Sequence, residues 1–185
     1  MQKSARALGA MFLVGAAIAC SAQPAFAASA QQIRQDANTA LNRLYASTPS
    51  AKVLGSQAKG ILIFPSILKA GFIFGAQGGD GALHEGDKTV AYYRNVAASY
   101  GLQAGVQGFS YVLFFMSDSA LEYLDKSDGW EVGTGPSLVI VDKGMAKSLS
   151  TTTLHDDVYA FIFGQKGLMA GIGIQGSKIT RIHPR

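Results

Sequence analysis

Side chains that could act as nucleophiles are present, but the partners they would need are missing. Two Ser-x-x-Lys pairs, Ser56 with Lys59 and Ser66 with Lys69, have the spacing of the nucleophile motif of penicillin-recognising enzymes. That chemistry also needs Ser-Asp-Asn and Lys-Thr-Gly segments, and the nearest ones, 117–119 and 88–90, each fail at their last residue. No Gly-x-Ser-x-Gly segment occurs either. The sequence therefore predicts no catalytic residues and a protein that is not an enzyme.

The histidines do not form a metal-binding pattern. His84, His155 and His183 are far apart in the sequence, and none has a second ligand three or four residues away in a helix. The cluster His155-Asp156-Asp157 is typical of a polar loop that precedes a strand. We predict no metal site and no cofactor.

The composition excludes several classes of protein. Of 185 residues, 48% are hydrophobic, 15% are charged and 22 are Gly, which excludes a disordered chain and disfavours a helical bundle. A single Cys excludes a disulfide scaffold. The net charge of +4 falls to +2 without Lys3 and Arg6 near the N-terminus, which is too weak to indicate nucleic acid as a partner.

The first 27 residues have the pattern of an export signal. Lys3 and Arg6 precede the apolar stretch Leu8 to Ala19, and the small residues Ala25 and Ala27 offer a site for a leader peptidase. The apolar stretch is also shorter than the roughly 20 residues that a transmembrane helix needs. We predict cleavage after Ala27 or, alternatively, before Cys20.

The alternative cleavage site follows from the residues before Cys20. Ala17-Ile18-Ala19-Cys20 resembles a bacterial lipobox, in which the cysteine becomes lipidated, although Ala17 replaces the usual Leu. Both alternatives stay open at this point. The protein is predicted to be exported, either to the periplasm or to the outer membrane as a lipoprotein.

An amphipathic helix is predicted from Gln31 to Ala46. Its apolar residues fall on one stripe at helical spacing, namely Ile33, Ala37, Ala40, Leu41 and Leu44. Arg34 and Arg43 lie near the two edges of this stripe. Such cations fit a helix that rests on an anionic membrane, and equally the rim of a helix that faces a protein core.

A second, shorter helix is predicted from Pro49 to Ala58, because Thr48 offers an N-cap and Pro49 suits the first helical position. Lys52 and Lys59 are seven residues apart and are therefore expected on one face. The apolar run that follows, Gly60 to Pro65, is typical of a buried strand that a proline ends.

The remainder of the chain reads as short strands separated by glycine-rich turns, interrupted by a helix at 118–126 that Ser117 caps. After the first strand, the strand candidates cover residues 70–79, 81–86, 88–96, 99–108, 109–116, 137–142, 158–164, 167–176 and 178–182. Their close spacing leaves no room for helical crossovers, so neighbouring strands should pair antiparallel. The predicted fold is α+β, with a curved or barrel-like antiparallel sheet of roughly eight to nine short strands, flanked by the N-terminal helices and one further helix.

Several segments, in order along the chain, resemble those of the SYLF lipid-binding domain family. They are 58–65, 69–73, 78–81, 99–107, 135–136 and 166–171. Together the matches extend over essentially residues 31–185, and residues 28–185 are therefore assigned to a single SYLF-like domain. One departure is the segment 159–164, where the family often has a strand of the Tyr-Ser-x-Ser-x-Gly type.

The resemblance implies a non-catalytic domain that binds acidic phospholipids, including phosphoinositides. Eukaryotic relatives work beside actin-organising partners, which do not carry over to an exported protein of bacterial type. A head-group surface near the N-terminal helices would involve Lys52, Lys59 and Lys69, with Arg34 and Arg43 as secondary candidates. The expected partner is anionic phospholipid or a membrane surface. The alternative is a structural outer-membrane-associated β-protein without specific lipid recognition.

Overall fold

The computed structural model describes most of the chain that follows the predicted leader. The described residues are 28–71, 74–100, 105–126, 129–141, 145–146, 149, 154–167 and 176–185. The predicted leader with Cys20 lies outside them, as does most of the strand predicted at 167–176.

The main helices of the described residues are α1 (Ala30–Ser47), α2 (Pro49–Gly55) and α3 (Asp118–Asp125). The Ser29 hydroxyl caps α1 by accepting a hydrogen bond from the Gln32 amide at 3.2 Å, and Ser117 caps α3 in the same way. The sequence placed α1 to within a residue at each end. It predicted α2 to run to Ala58, whereas the helix ends at Gly55.

Eight strands form one sheet that curls into a half-barrel, which confirms the predicted fold class. The strands are β1 (Gly60–Gly71), β2 (Phe74–Glu85), β3 (Lys88–Tyr100), β4 (Gly105–Phe115), β5 (Trp130–Glu131), β6 (Leu138–Val141), β7 (Val158–Gly167) and β8 (Lys178–Ile182). Their order across the sheet is β5-β8-β3-β2-β1-β4-β7-β6. Neighbours pair antiparallel except β6 and β7, which are parallel.

The first strand does not end at Pro65, as the sequence predicted, but continues to Gly71. The pairing register with β2 shifts between Ile63 and Leu68, so a bulge holds the proline, which has no N–H to donate to the ladder. The Ser110 hydroxyl donates to the Pro65 carbonyl at 2.7 Å. Two predicted candidates, 70–79 and 81–86, likewise belong mainly to the single strand β2.

The two faces of the sheet carry separate apolar cores. We call the face against α1 and α2 the front face, and the face against α3 the back face. The front core joins the α1 stripe to sheet residues, among them Ile61, Ile63, Val112, Phe114 and Phe161. The back core includes stacked Phe64 and Tyr111, with ring centroids 4.7 Å apart, and Trp130 against Phe115.

Hydrogen bonds and an ion pair tie α3 to the strands of the back face. The Tyr93 hydroxyl on β3 donates to the Asp125 carboxylate, and Arg181 on β8 lies 3.3 Å from the same carboxylate. Burial, together with the Asp125 carboxylate, raises the pKa of Tyr93 well above its ordinary value, so the phenol stays protonated and remains a donor.

Candidate functional site

The apolar stripe of α1 is part of the front core. Ile33, Ala37, Ala40 and Leu44 are all buried against the sheet. This packing decides between the two interpretations of the helix, because its apolar stripe is not available to a membrane. Arg34 and Arg43 therefore lie at the rim of a core-facing helix, with exposed side chains.

The five cations selected from the sequence do not form one cluster. Lys52 is exposed on α2, and Lys59 lies at the start of β1, where its ammonium is 3.6 Å from Asp118. Lys69 is only 6% exposed, because its side chain points to the back face of the sheet. Lys69 is therefore separate from the exposed cations.

Arg43 lines a cleft between α1 and the bulge of β1. The cleft has a volume of about 160 Å³ and is lined by Asp36, Thr39, Ala40, Arg43, Pro65 and Ser66. Arg34 is on the opposite edge of the α1 stripe by helical geometry. The cleft therefore places Arg43, but not Arg34, beside the part of the sheet that extends past the bulge.

Past the bulge, the front face of the sheet is exposed and apolar. We call this surface the open sheet end; it comprises Leu68, Ala70, Phe74, Ala76, Gly78, Val96, Ala98, Val106 and Gly108. The pairing registers align it in rows, with Val96, Gly78, Leu68 and Gly108 in one row, and Ala98, Ala76, Ala70 and Val106 in the next. Its four large side chains are 57% (Leu68), 76% (Phe74), 46% (Val96) and 58% (Val106) exposed.

A lysine lies at each end of the first row, which we call the central row. Lys178 on β8 is the pairing partner of Val96, and Lys166 on β7 is the partner of Gly108. Both side chains are exposed, and no ion pair holds either of them within the described part of the chain. The row spans six strands, so the two lysines are about 24 Å apart at the usual strand spacing.

Carboxylates are scarce around the open sheet end. On the front face near it, Asp36 of α1 lines the same cleft as Arg43, and Asp80 is held by Arg94 through two hydrogen bonds of 2.7 and 2.9 Å, which balances its charge. Glu131 on the edge strand β5 is the pairing partner of Lys178. The described residues of β1 to β4 and β7 that surround the open sheet end contribute no acid.

Acidic residues gather instead at the opposite end of the sheet. Glu85 and Asp87 lie at the turn between β2 and β3, Asp118 begins α3, and Asp156 and Asp157 precede β7. These positions adjoin the end at which Gly60 pairs with Phe115. The sheet therefore has an apolar end bordered by lysines and an opposite, acidic end at which these five carboxylates outnumber Lys59 and Lys88.

At this acidic end, hydrogen bonds link Asp157, just before β7, to Ser137 and Ser117. Its carboxylate accepts from the amide and the hydroxyl of Ser137, both at 3.0 Å, and from the Ser117 hydroxyl at 3.1 Å. Hydrogen bonds from Ser137 lower the pKa of Asp157 below its ordinary value, because they favour the ionised form.

A row of buried polar side chains crosses the back face behind the open sheet end. Gln77 and Gln107 are the direct pairing partners of Lys69, and Asn95 is buried nearby on β3. Amide atoms of Gln77, Asn95 and Gln107 have no hydrogen-bond partner in the part of the chain described here. This polar row marks the end of the apolar back core, and the described residues provide no apolar layer behind the open sheet end.

Other kinds of site receive no support from the described residues. Within them, no three His, Cys, Asp or Glu side chains converge in the way a metal ion requires. His84 is buried, which lowers its pKa, so it is neutral at pH 7. Among the same residues, no helix is long and apolar enough to cross a membrane.

Fold and surface together define a curled-sheet domain with a basic, apolar end, and sequence comparison identifies its class. Residues 96–183 match the family model Ysc84, described as "Las17-binding protein actin regulator". This chain belongs to the Ysc84 (SYLF) family, and the family resemblance is confirmed. The family supports a domain that is lipid-binding or similar to an actin regulator.

A particular relative is Beta cell expansion factor A of Aeromonas veronii. It is 31% identical to this chain over 143 residues, which are 77% of this chain and 53% of the relative. The chain thus spans about half the length of that protein. The family and the relative's name both suggest a protein that is not an enzyme.

The open sheet end was not predicted from the sequence, although one signal of it was present. An exposed face of an antiparallel sheet normally alternates apolar residues with polar ones. Here, the positions that face the front are apolar or small instead, in the ranges 68–71, 74–79 and 95–98. Elsewhere on the front face, apolar positions of the sheet are covered by a helix.

Proposed function

We propose that this chain is a non-catalytic cell-envelope protein that binds anionic phospholipid surfaces. The observation that carries the proposal is the division of charge along the sheet. Exposed Lys166 and Lys178 lie at the apolar end, with Arg43 in the cleft toward α1, and five carboxylates lie at the other end, namely Glu85, Asp87, Asp118, Asp156 and Asp157.

This division of charge favours one orientation on a negatively charged surface. Each Lys or Arg near an anionic leaflet contributes about 1 kcal/mol of attraction, which falls off over a Debye length of about 8 Å at physiological salt. Glu85 lies seven residues along β2 from Gly78, which is in the row of the two lysines, so it is roughly 23 Å away, where the leaflet charge is screened. The protein therefore gains the attraction of the basic end without the repulsion of the acidic one.

The proposed location rests on residues 1–27. A basic n-region, an apolar stretch and the Ala27 site would export the domain to the periplasm, while lipidation of Cys20 would anchor it to the outer membrane. An anchor needs only weak help from the domain, because the acyl chains supply part of the membrane affinity.

The proposed role is recognition, with no bond made or broken. Ser56 and Ser66 each begin a Ser-x-x-Lys match, yet Lys59 is directed to Asp118 and Lys69 is on the back face. Neither serine therefore has its lysine arranged as a base. The lipid is expected to be unchanged after binding.

The test is flotation of the purified protein with vesicles of equimolar phosphatidylglycerol and phosphatidylcholine, compared with vesicles of phosphatidylcholine alone. We expect binding to the anionic vesicles that weakens as NaCl is raised, and intact lipid by mass spectrometry. Equal binding to both compositions, or none to the anionic one, would refute the proposal. Released fatty acid or head group would refute its non-catalytic part.

A further inference from the structure

The open sheet end exposes several large apolar side chains, and packing against other described residues does not cover them. Leu68, Phe74, Val96 and Val106 stand on one face, in adjacent rows, separated only by glycine and alanine. The same face is covered by α1 and α2 before the bulge and by none of the helices in the described residues after it. Contiguous exposed apolar surface of this kind marks a contact with a partner or a membrane.

The cations around the open sheet end indicate what kind of partner this surface contacts. Lys166 and Lys178 close the central row at both ends, and Arg43 lies at the edge toward α1. An apolar centre with cations at its margin matches a bilayer surface, in which anionic phosphates surround the acyl region. A protein partner would have to supply carboxylates about 24 Å apart on either side of an apolar patch.

The backbone of this surface is hydrogen-bonded within the sheet, which suits contact with a medium that contains little water. At the open sheet end, β1 is paired on both sides, with β2 and with β4, and β2 is also paired with β3. The ladder therefore pairs β1 and β2 on both sides at this surface, so that contact of these two strands with the acyl region does not expose an unpaired sheet edge.

We propose that the open sheet end is the membrane-contacting surface of this protein, with Leu68, Phe74, Val96 and Val106 entering the head-group region of an anionic bilayer. This inference rests on the proposed function and specifies its contact surface. The sheet, rather than the apolar stripe of α1, would then meet the lipid.

The test uses two valines of similar exposure on the same strand. Val96 is 46% exposed at the open sheet end, and Val90 is 43% exposed near the acidic end. The variants Val96→Ser and Leu68→Ser are compared with Val90→Ser for partition onto equimolar phosphatidylglycerol and phosphatidylcholine vesicles. Thermal unfolding of each variant, and its mass in solution by light scattering, are measured alongside.

We expect the double variant Leu68→Ser/Val96→Ser to bind these vesicles at least about tenfold more weakly, because two apolar side chains are lost from the contact. Val90→Ser should bind as the wild type does. If the wild type binds and the double variant, folded, binds equally well, this inference is overturned while the proposed function stands.

Two other outcomes would also overturn it. If the wild type does not bind anionic vesicles, the proposed function fails together with the inference. If the wild type is a dimer that the Leu68→Ser/Val96→Ser double variant converts to a monomer without loss of vesicle binding, then the open sheet end is an interface between two copies of this chain.

Discussion

Reversing the charge of Lys166 and Lys178 gives a quantitative test of how the protein sits on a membrane. Both side chains are exposed and lie in one row of the sheet, about 24 Å apart, so their contacts with a surface are screened from each other. Each lysine contributes about 1 kcal/mol near an anionic leaflet, and reversal both removes this attraction and adds repulsion of similar size. The double variant Lys166→Glu/Lys178→Glu should therefore lose about 4 kcal/mol of binding free energy, roughly a thousandfold in affinity.

The assay is a flotation titration with phosphatidylglycerol vesicles at low and physiological NaCl. The matched control is Lys59→Glu/Lys88→Glu, which changes the net charge equally at the other end of the sheet. We expect this control to lose at most a few-fold in affinity. If the control loses as much as the test variant, binding depends on net charge alone, and the argument from orientation is refuted.

Three further predictions concern stability and processing. Gly79→Ala should lower the free energy of unfolding by about 2 kcal/mol, because a Cβ at this position would collide with the Ser66 carbonyl of the bulge; an unchanged urea midpoint would contradict this. Asp157→Asn should remove part of the acid sensitivity of folding. The lowered pKa of Asp157 gives stability that is present at neutral pH and lost as the pH falls through the folded-state pKa, so the wild-type Tm should fall further on acidification than that of the variant. Finally, the mature protein from its native host should have either a mass that begins at diacylated or triacylated Cys20 or one that begins at Ala28, and an uncleaved leader would contradict both alternatives.

The sequence predicted the helix α1 well but could not decide what its apolar stripe contacts. Periodicity fixes which residues share a face, and Ile33 to Leu44 share one as expected. Whether that face meets a core or a membrane depends on which surface is nearby. The partners of the stripe, such as Val112 and Phe161, are supplied by strands distant in sequence.

The bulge at Pro65 determines which face of the sheet Lys69 occupies. In a regular strand that begins with Ile61 and Ile63 on the front face, Lys69 would also point to the front. The extra residue at the bulge reverses the alternation, so that Lys69 points to the back and Leu68 to the front. A single sequence signals a proline in this strand but not whether the strand ends or bulges there.

The open sheet end shows a second limit of prediction from one sequence. Its central row joins Lys178, Val96, Leu68 and Lys166, which come from four strands. Strand propensity placed Val96 and Lys178 in predicted strands, whereas Leu68 and Lys166 fell between predicted strands. Pairing order and register, which local sequence does not encode, bring them into one row.

The most direct test of membrane contact places a reporter on the open sheet end. Phe74→Trp puts an indole at the most exposed large apolar position of the described chain, while the native Trp130 is buried in the back core. With anionic vesicles that contain brominated phosphatidylcholine, we predict quenching of Phe74→Trp fluorescence and none of a Val90→Trp control. Quenching of the Val90→Trp control without quenching at residue 74, under conditions in which both variants bind, would contradict the account.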